Sequence, residues 1–144
     1  MVLLDRRDGS TIEVTVSLSG VRIDRWERIE GVRPTVFLDG FFESEAAIQQ
    51  DPRVREPLAK RGITDMDLVT IDPWPAGNYG DPVGSERRSI RGLVWVHERE
   101  GGNQYARPVD GLMIIVDLLT MEVIRIDDEA VLPAPCSTAR PSRR

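Results

Sequence analysis

The chain has 144 residues, 40% of them hydrophobic, and a formal net charge of −5 at pH 7. That length suits one compact domain, or one domain and part of another. Acids and arginines are interspersed without a basic block, and the longest apolar stretch, Gly111 to Leu119, is broken by Asp117, so neither a nucleic-acid partner nor a membrane span is expected.

The first 30 residues carry the alternation of antiparallel β-structure. A short strand in Val2–Arg6 leads to the turn signal Asp8-Gly9. Ile12, Val14, Val16 and Leu18 then share one face, with Thr11, Glu13, Thr15 and Ser17 on the other. Ser19-Gly20 makes a second turn before Val21–Ile29. A three-stranded meander with one apolar face needs a cover, normally a helix, and no helical pattern precedes it. Residues 1–34 are therefore expected to be the second half of a domain.

A linker with Pro34 and Gly40, which includes the pair Phe41-Phe42, is expected before a short helix over 43–50. Asp51-Pro52 supplies a cap and first-turn proline for a second helix that stops at Gly62. Pro57 is out of place inside that helix. A strand follows at Leu68–Ile71. Asp72-Pro73-Trp74-Pro75 is then expected to be stiff, irregular backbone, because proline donates no ladder hydrogen bond. Residues 76–88 are rich in Gly, Pro, Asn and Asp and read as a mobile loop. The strand at 89–100 places Leu93, Trp95 and His97 on one face and Val94 and Val96 on the other. Gly101–Pro108 reads as a turn, and Leu112–Leu118 and Glu122–Ile126 as a hairpin. Residues 35–130 thus form an α+β unit, with helices on one face of a four-stranded antiparallel sheet, an architecture like that of cystatins. The protease-binding Gln-x-Val-x-Gly hairpin of cystatin inhibitors is missing. Residues 131–144, with Pro, Ser and Arg but no periodicity, are expected to be loosely held.

Chemistry is sparse. His97 is the single histidine and Cys136 the single cysteine, so an internal disulfide is excluded and a metal cluster of these donors is not assembled. One cysteine and no signal-peptide pattern fit a reducing compartment, and cytoplasmic location is expected. Lys60 is the sole lysine and reads as a solvated helix end. The acidic pairs at 65–67 and 127–129 read as turn caps. No phosphate-binding glycine loop, dinucleotide fingerprint or nucleophile elbow is present.

An ordered series of short motifs does resemble a known family. Gly62-Ile63, Asp67-Leu68-Val69, Asp72-Pro73-Trp74 and Ala76-Gly77 come first. Arg88-Ser89-Ile90-Arg91-Gly92-Leu93 and Tyr105-Ala106-Arg107-Pro108-Val109-Asp110-Gly111 follow, then Val116-Asp117, Met121-Glu122-Val123 and Asp127-Asp128. Together they are similar to the N3 region of copper-containing amine oxidases, and Gly31-Val32-Arg33-Pro34 resembles the junction between that family's N2 and N3 domains. The resemblance runs over residues 1–135.

It implies two small cystatin-like units, a truncated N2 (1–34) and a complete N3 (35–130), seated on a large catalytic β-sandwich. In the family that sandwich carries copper on three histidines and a topaquinone made from a tyrosine in an Asn-Tyr-Asp/Glu motif. Neither Tyr79 (Asn-Tyr-Gly) nor Tyr105 (Gln-Tyr-Ala) fits that motif. The expectation is a chain without catalytic or metal residues, inactive alone, that starts within N2 and stops before the catalytic domain. Copper and topaquinone belong to that missing domain, which is the expected partner. Self-association through exposed apolar surface is also expected. By the resemblance, Phe41, Phe42, Pro73, Trp74 and Tyr105 contribute to the funnel that leads a primary amine, of the tyramine type, to the quinone. The alternative is a free-standing binding or assembly module without enzymatic activity.

Overall fold

A computed structural model describes residues 1–77, 80 and 87–129. The mobile-loop expectation for Asn78, Tyr79 and 81–86, and the loose-tail expectation for 131–144, lie outside the described residues.

Two antiparallel sheets organise the chain. β1 (Val2–Asp5), β2 (Ser10–Ser17) and β3 (Arg22–Ile29) form a meander. β4 (Val69–Pro75), β5 (Ser89–Val96), β6 (Arg107–Asp117) and β7 (Glu122–Asp128) form a second sheet in chain order. Between the sheets in sequence lie α1 (Leu38–Gln50) and the short α2 (Arg55–Lys60). The fold is α+β.

Several boundaries differ from expectation, each for a local reason. α1 begins at Leu38, not at Glu43, and takes in Gly40, Phe41 and Phe42. Gly40 reads as a breaker, but its side-chain position faces Val36 Cγ1 at 3.3 Å and Leu118 Cδ2 at 3.8 Å. A side chain there would press on Val36 of the linker, while Leu118 would stay at ordinary contact distance. The second helix is split. Pro52–Val54 is a 3₁₀ turn capped by Asp51, whose Oδ1 accepts from Arg53 N at 2.9 Å. α2 starts only at Arg55, so Pro57 sits in its first turn, where its missing N–H has no intrahelical partner to lose. The expected awkwardness of Pro57 disappears. Gly62, at φ 78°, closes the helix. Asp65 caps a further 3₁₀ turn at Met66–Leu68, accepting from Asp67 N at 3.0 Å.

Asp72–Pro75 is not irregular backbone but the last part of β4. That strand lies at the sheet's edge, with Pro73 opposite Gly92, Trp74 opposite Arg91 and Pro75 opposite Ile90. Edge placement tolerates the prolines, because one side of the strand needs no ladder. β6 is longer than expected and starts at Arg107. Its pairing with β5 slips between Leu93 and Trp95, where four residues, Val109–Leu112, bulge opposite Val94. Gly111, at φ 68°, makes the bend.

The core lies between the helices and one face of the second sheet. Ile48, Val54 and Leu58 are 0% exposed and meet Val69, Ile71, Ile90, Val94, Val96, Leu112, Ile114 and Val116. Gly92 leaves room for Ile48: a side chain there would approach Ile48 Cδ1 to 2.5 Å. Arg61 is buried beneath α2 and pairs with Asp128 at 2.8 Å, also donating to Pro57 O at 2.9 Å. Arg88 holds the linker through Thr35 O at 2.8 Å and lies over the Phe37 ring at 5.8 Å.

The meander repeats part of the second sheet a hundred residues earlier. β2–β3 slips in register at Thr15/Val16, and β6–β7 at Ile115/Val116. Ser17 faces Arg22 as Asp117 faces Glu122, and Val21 (φ 47°) and Met121 (φ 57°) occupy the same left-handed turn position. Val116, Val123 and Ile126 belong to the helix-covered core. Their counterparts Val16, Ile23 and Trp26 are 41%, 57% and 58% exposed. The same hairpin therefore occurs twice, once covered and once open.

Candidate functional site: the outer sheet face

Antiparallel register fixes which side chains share a face. Opposite the helices, β4 presents Thr70, Asp72 and Trp74, β5 presents Arg91, Leu93 and Trp95, and β6 presents Pro108, Met113 and Ile115. Ile115 is 1% exposed and lies opposite Arg91 on one side and Arg125 on the other. Leu93, Trp95 and Met113 are half-buried, and among the described residues neither helix packs on their side of the sheet.

The bulge in β6 opens a hollow of about 400 Å³ on this face, lined by Leu93, Trp95, Pro108 and Met113, with Asp110, Asp127 and Glu129 among its polar residues. The Tyr105 ring meets Trp95 edge-on, 5.5 Å between centroids and 84° between planes. Trp95 Nε1 is sealed from solvent and has no acceptor among the described residues. Asp127 is partly neutralised by Arg125 Nε at 3.1 Å. The other two carboxylates leave the hollow with an acidic rim.

The five residues expected in the funnel do not converge. Trp74 and Tyr105 belong to the outer-face side of the sheet, 56% and 46% exposed. They lie toward opposite ends: Trp74 pairs with Arg91, and Trp95, beneath Tyr105, is four residues farther along β5, roughly 13 Å at the rise of a strand. Trp74 Nε1 donates to Asp72 Oδ2 at 2.9 Å, which fixes its ring against its own strand. Pro73 alternates onto the helix side. Phe41 packs against the core from α1, while Phe42 is 62% exposed on the same helix. Sequence reasoning passed over Leu93, Trp95 and Met113 as site residues. The available signal was β5 itself, apolar on both faces at Leu93–Val96, the pattern of a strand meant to be covered twice.

His97 Nδ1 lies 2.8 Å from Arg99 O, engaged locally. No group of three or more His, Cys, Asp or Glu among the described residues could hold a metal. One histidine in the sequence does not fit the three-histidine copper site that the resemblance implies. Among the described residues no helix is long and apolar enough to cross a membrane.

Fold and face together define an α+β module whose second sheet has, among the described residues, one helix-covered and one open face. The family model for the copper amine oxidase N3 domain matches residues 39–143. The chain belongs to the copper amine oxidase family and carries its N3 domain. It is 36% identical over 135 residues to a primary amine oxidase of Arthrobacter sp. (strain P1), covering 93% of this chain and 21% of that protein. A Klebsiella aerogenes primary amine oxidase is 30% identical over 137 residues, covering 94% and 18%. A peroxisomal copper-containing diamine oxidase of Nicotiana tabacum is 33% identical over 110 residues, covering 74% and 14%. The fold is shared with the crystal structure of a copper-containing benzylamine oxidase from Hansenula polymorpha, at TM-score 0.67 and 20% identity over 86% of this chain and 20% of that one. The chain thus spans about a fifth of the length of its relatives.

Proposed function

We propose that this chain is the non-catalytic N2/N3 portion of a copper amine oxidase and helps shape the path of a primary amine to the buried cofactor of the full enzyme. The family match over residues 39–143 carries this reading. Residues 1–34 are the end of an N2-like unit and 35–130 the N3 unit. The repeated hairpin supports that division, since β2–β3 and β6–β7 share turn and register. Copper and topaquinone belong to the catalytic domain, and the chain alone does not oxidise amines. The expected substrate is an aromatic primary amine of the tyramine type, and the expected location is the cytoplasm.

Trp74 is the residue on which the funnel role is tested. Its ring is more than half exposed, yet tied to Asp72, on a strand whose two prolines limit its movement. A surface preset in this way selects by shape. The matched segment of the Arthrobacter relative is replaced by this chain, and the chimera is assayed with methylamine and tyramine. Trp74→Ala is expected to change the ratio of their KM values several-fold with kcat for methylamine unchanged. An unchanged ratio refutes the funnel role.

A further inference from the structure

We propose that the hollow between the meander and the α+β unit that follows it is a binding site for an apolar carboxylate, with Arg88 as the residue that receives its charge. The site goes beyond the family reading and does not depend on it.

The two units meet along a narrow seam. Arg6 pairs with Glu43 of α1 across it, and Thr11 Oγ1 donates to Val32 O of the linker at 2.7 Å. A hollow of about 240 Å³ opens there between β1, the start of α1 and the β6–β7 turn. Its wall is largely apolar, with Leu4 from the meander, Phe37 before α1, and Leu118 and Met121 from the turn. At about 30 Å³ per water molecule this is room for roughly eight waters, a space that a single ring with a short chain fills.

Arg88 lines this hollow and a neighbouring one of about 200 Å³. Its Nη2 donates to Thr35 O at 2.8 Å, and its Nε more loosely to Pro34 O at 3.4 Å. Both acceptors are neutral carbonyls, and a guanidinium has more N–H groups than these two bonds use. Among the described residues no carboxylate pairs with Arg88. Burial, and then the like charge of Arg6, hold its guanidinium below the usual range. Other charges at the seam are answered: Arg87 by Asp117 at 3.1 Å, Arg28 by Asp8 at 3.1 Å, and Arg6 by Glu43 with Asp39 close by. A half-buried arginine without a counter-ion suits a planar anion, which its fork of donors matches. The apolar wall asks that the anion carry an apolar body. Bound there, such a ligand touches Leu4 of one unit and Leu118 of the other and ties the two together.

The 144-residue chain is titrated with hydrocinnamate, with phenethylamine, which carries an ammonium on the same skeleton, and with acetate, which lacks the ring. Amide NMR signals and the melting temperature are followed. Hydrocinnamate is expected to shift the signals of Leu4, Gly40 and Leu118 and to raise the melting temperature. It should bind at least about ten-fold more tightly than either control, the least that a charge-assisted hydrogen bond contributes. Arg88→Gln, which keeps a donor for Thr35 O, is expected to abolish that advantage, and Arg88→Lys to retain most of it. Val2→Glu sets a carboxylate on the exposed rim of the hollow, at a residue that is 47% exposed, so the fold tolerates it. It is expected to weaken hydrocinnamate several-fold and leave phenethylamine no weaker. No binding of hydrocinnamate, the result if another part of the chain fills the hollow, overturns the proposal. Equal binding of phenethylamine, shifts confined to signals away from the seam, or a folded Arg88→Gln or Val2→Glu that binds as the unaltered chain does, also overturns it.

Discussion

Gly92→Ala tests how the core is closed. The new methyl group would lie 2.5 Å from Ile48 Cδ1 and 3.0 Å from Ile71 Cγ2, with Ile114 O at 3.6 Å behind them. Carbon atoms prefer about 3.5–4.0 Å, so Ile48 must retreat by roughly 1 Å. Ile48 is 0% exposed and Ile71 2%, so neither has free space to enter. Overpacking of this kind costs about 1–3 kcal/mol, and the upper half of that range is expected here. For a domain of this size that lowers the melting temperature by roughly 4 °C per kcal/mol. Ile48→Val deletes the clashing Cδ1 and alone costs about 0.5–1.5 kcal/mol. The pair should therefore be less destabilised than the sum of the single changes, by about 1–2 kcal/mol. Urea denaturation of the four proteins measures the coupling. A neutral Gly92→Ala, or strict additivity, would show that α1 does not press on β5 through Ile48.

Three other predictions concern turns and charge. Val21 is a β-branched residue at φ 47°, 89% exposed, so its conformation brings strain without packing. Val21→Asn is expected to raise stability by about 1 kcal/mol in the same titration, and a loss would mean that Val21 makes contacts that matter. Asp117 is 6% exposed, and its Oδ1 accepts from Leu119 N at 2.8 Å while Oδ2 receives Arg87 at 3.1 Å. Asp117→Ala should cost about 1–3 kcal/mol, since the turn donors Leu119 N and Thr120 N lose their acceptor. Asp128 is held below the usual carboxylate range chiefly by its hydrogen bond from Arg61, and Asp5 is lowered to about 2 by Arg7. Both folded values are depressed, so their stabilisation is fully present only well above the unfolded value, from about pH 5, and is lost as the pH falls through the folded values. Melting temperatures between pH 5 and pH 2 should decline, and Asp128→Asn should make that decline shallower; an unchanged slope refutes the coupling to Arg61.

Much of the fold is legible because it is local. The strand at Thr11–Ser17, the Asp8-Gly9 turn and Gly62 are decided by residues a few positions apart and appear where the pattern puts them, although Thr11 is buried and Val16 and Leu18 are exposed, the reverse of the expected faces. The errors cluster where a distant partner decides. Gly40 disfavours a helix by propensity, yet lies inside α1, buried beside Val36 and Leu118. Pro73 and Pro75 argue against a strand, yet β4 is one because it lies at an edge, which only the sheet order reveals. The candidate site follows the same division. Trp74 and Tyr105 stand out as aromatics in turn-rich segments, whereas the Trp95 hollow exists only because β6 bulges where β5 does not.

The sequence by itself determined the class of the fold, the two successive hairpin units and, through an ordered series of short motifs, the family. Those properties are carried by spacing along one chain. Tertiary structure decided which face of the second sheet remains open, which residues share it, and that the meander's apolar side is uncovered where its later copy is closed by a helix. Faces are set by register and by the placement of bulges, and a shift of one residue would reverse them; that choice is made by the pairing of strands and is not written in any one of them.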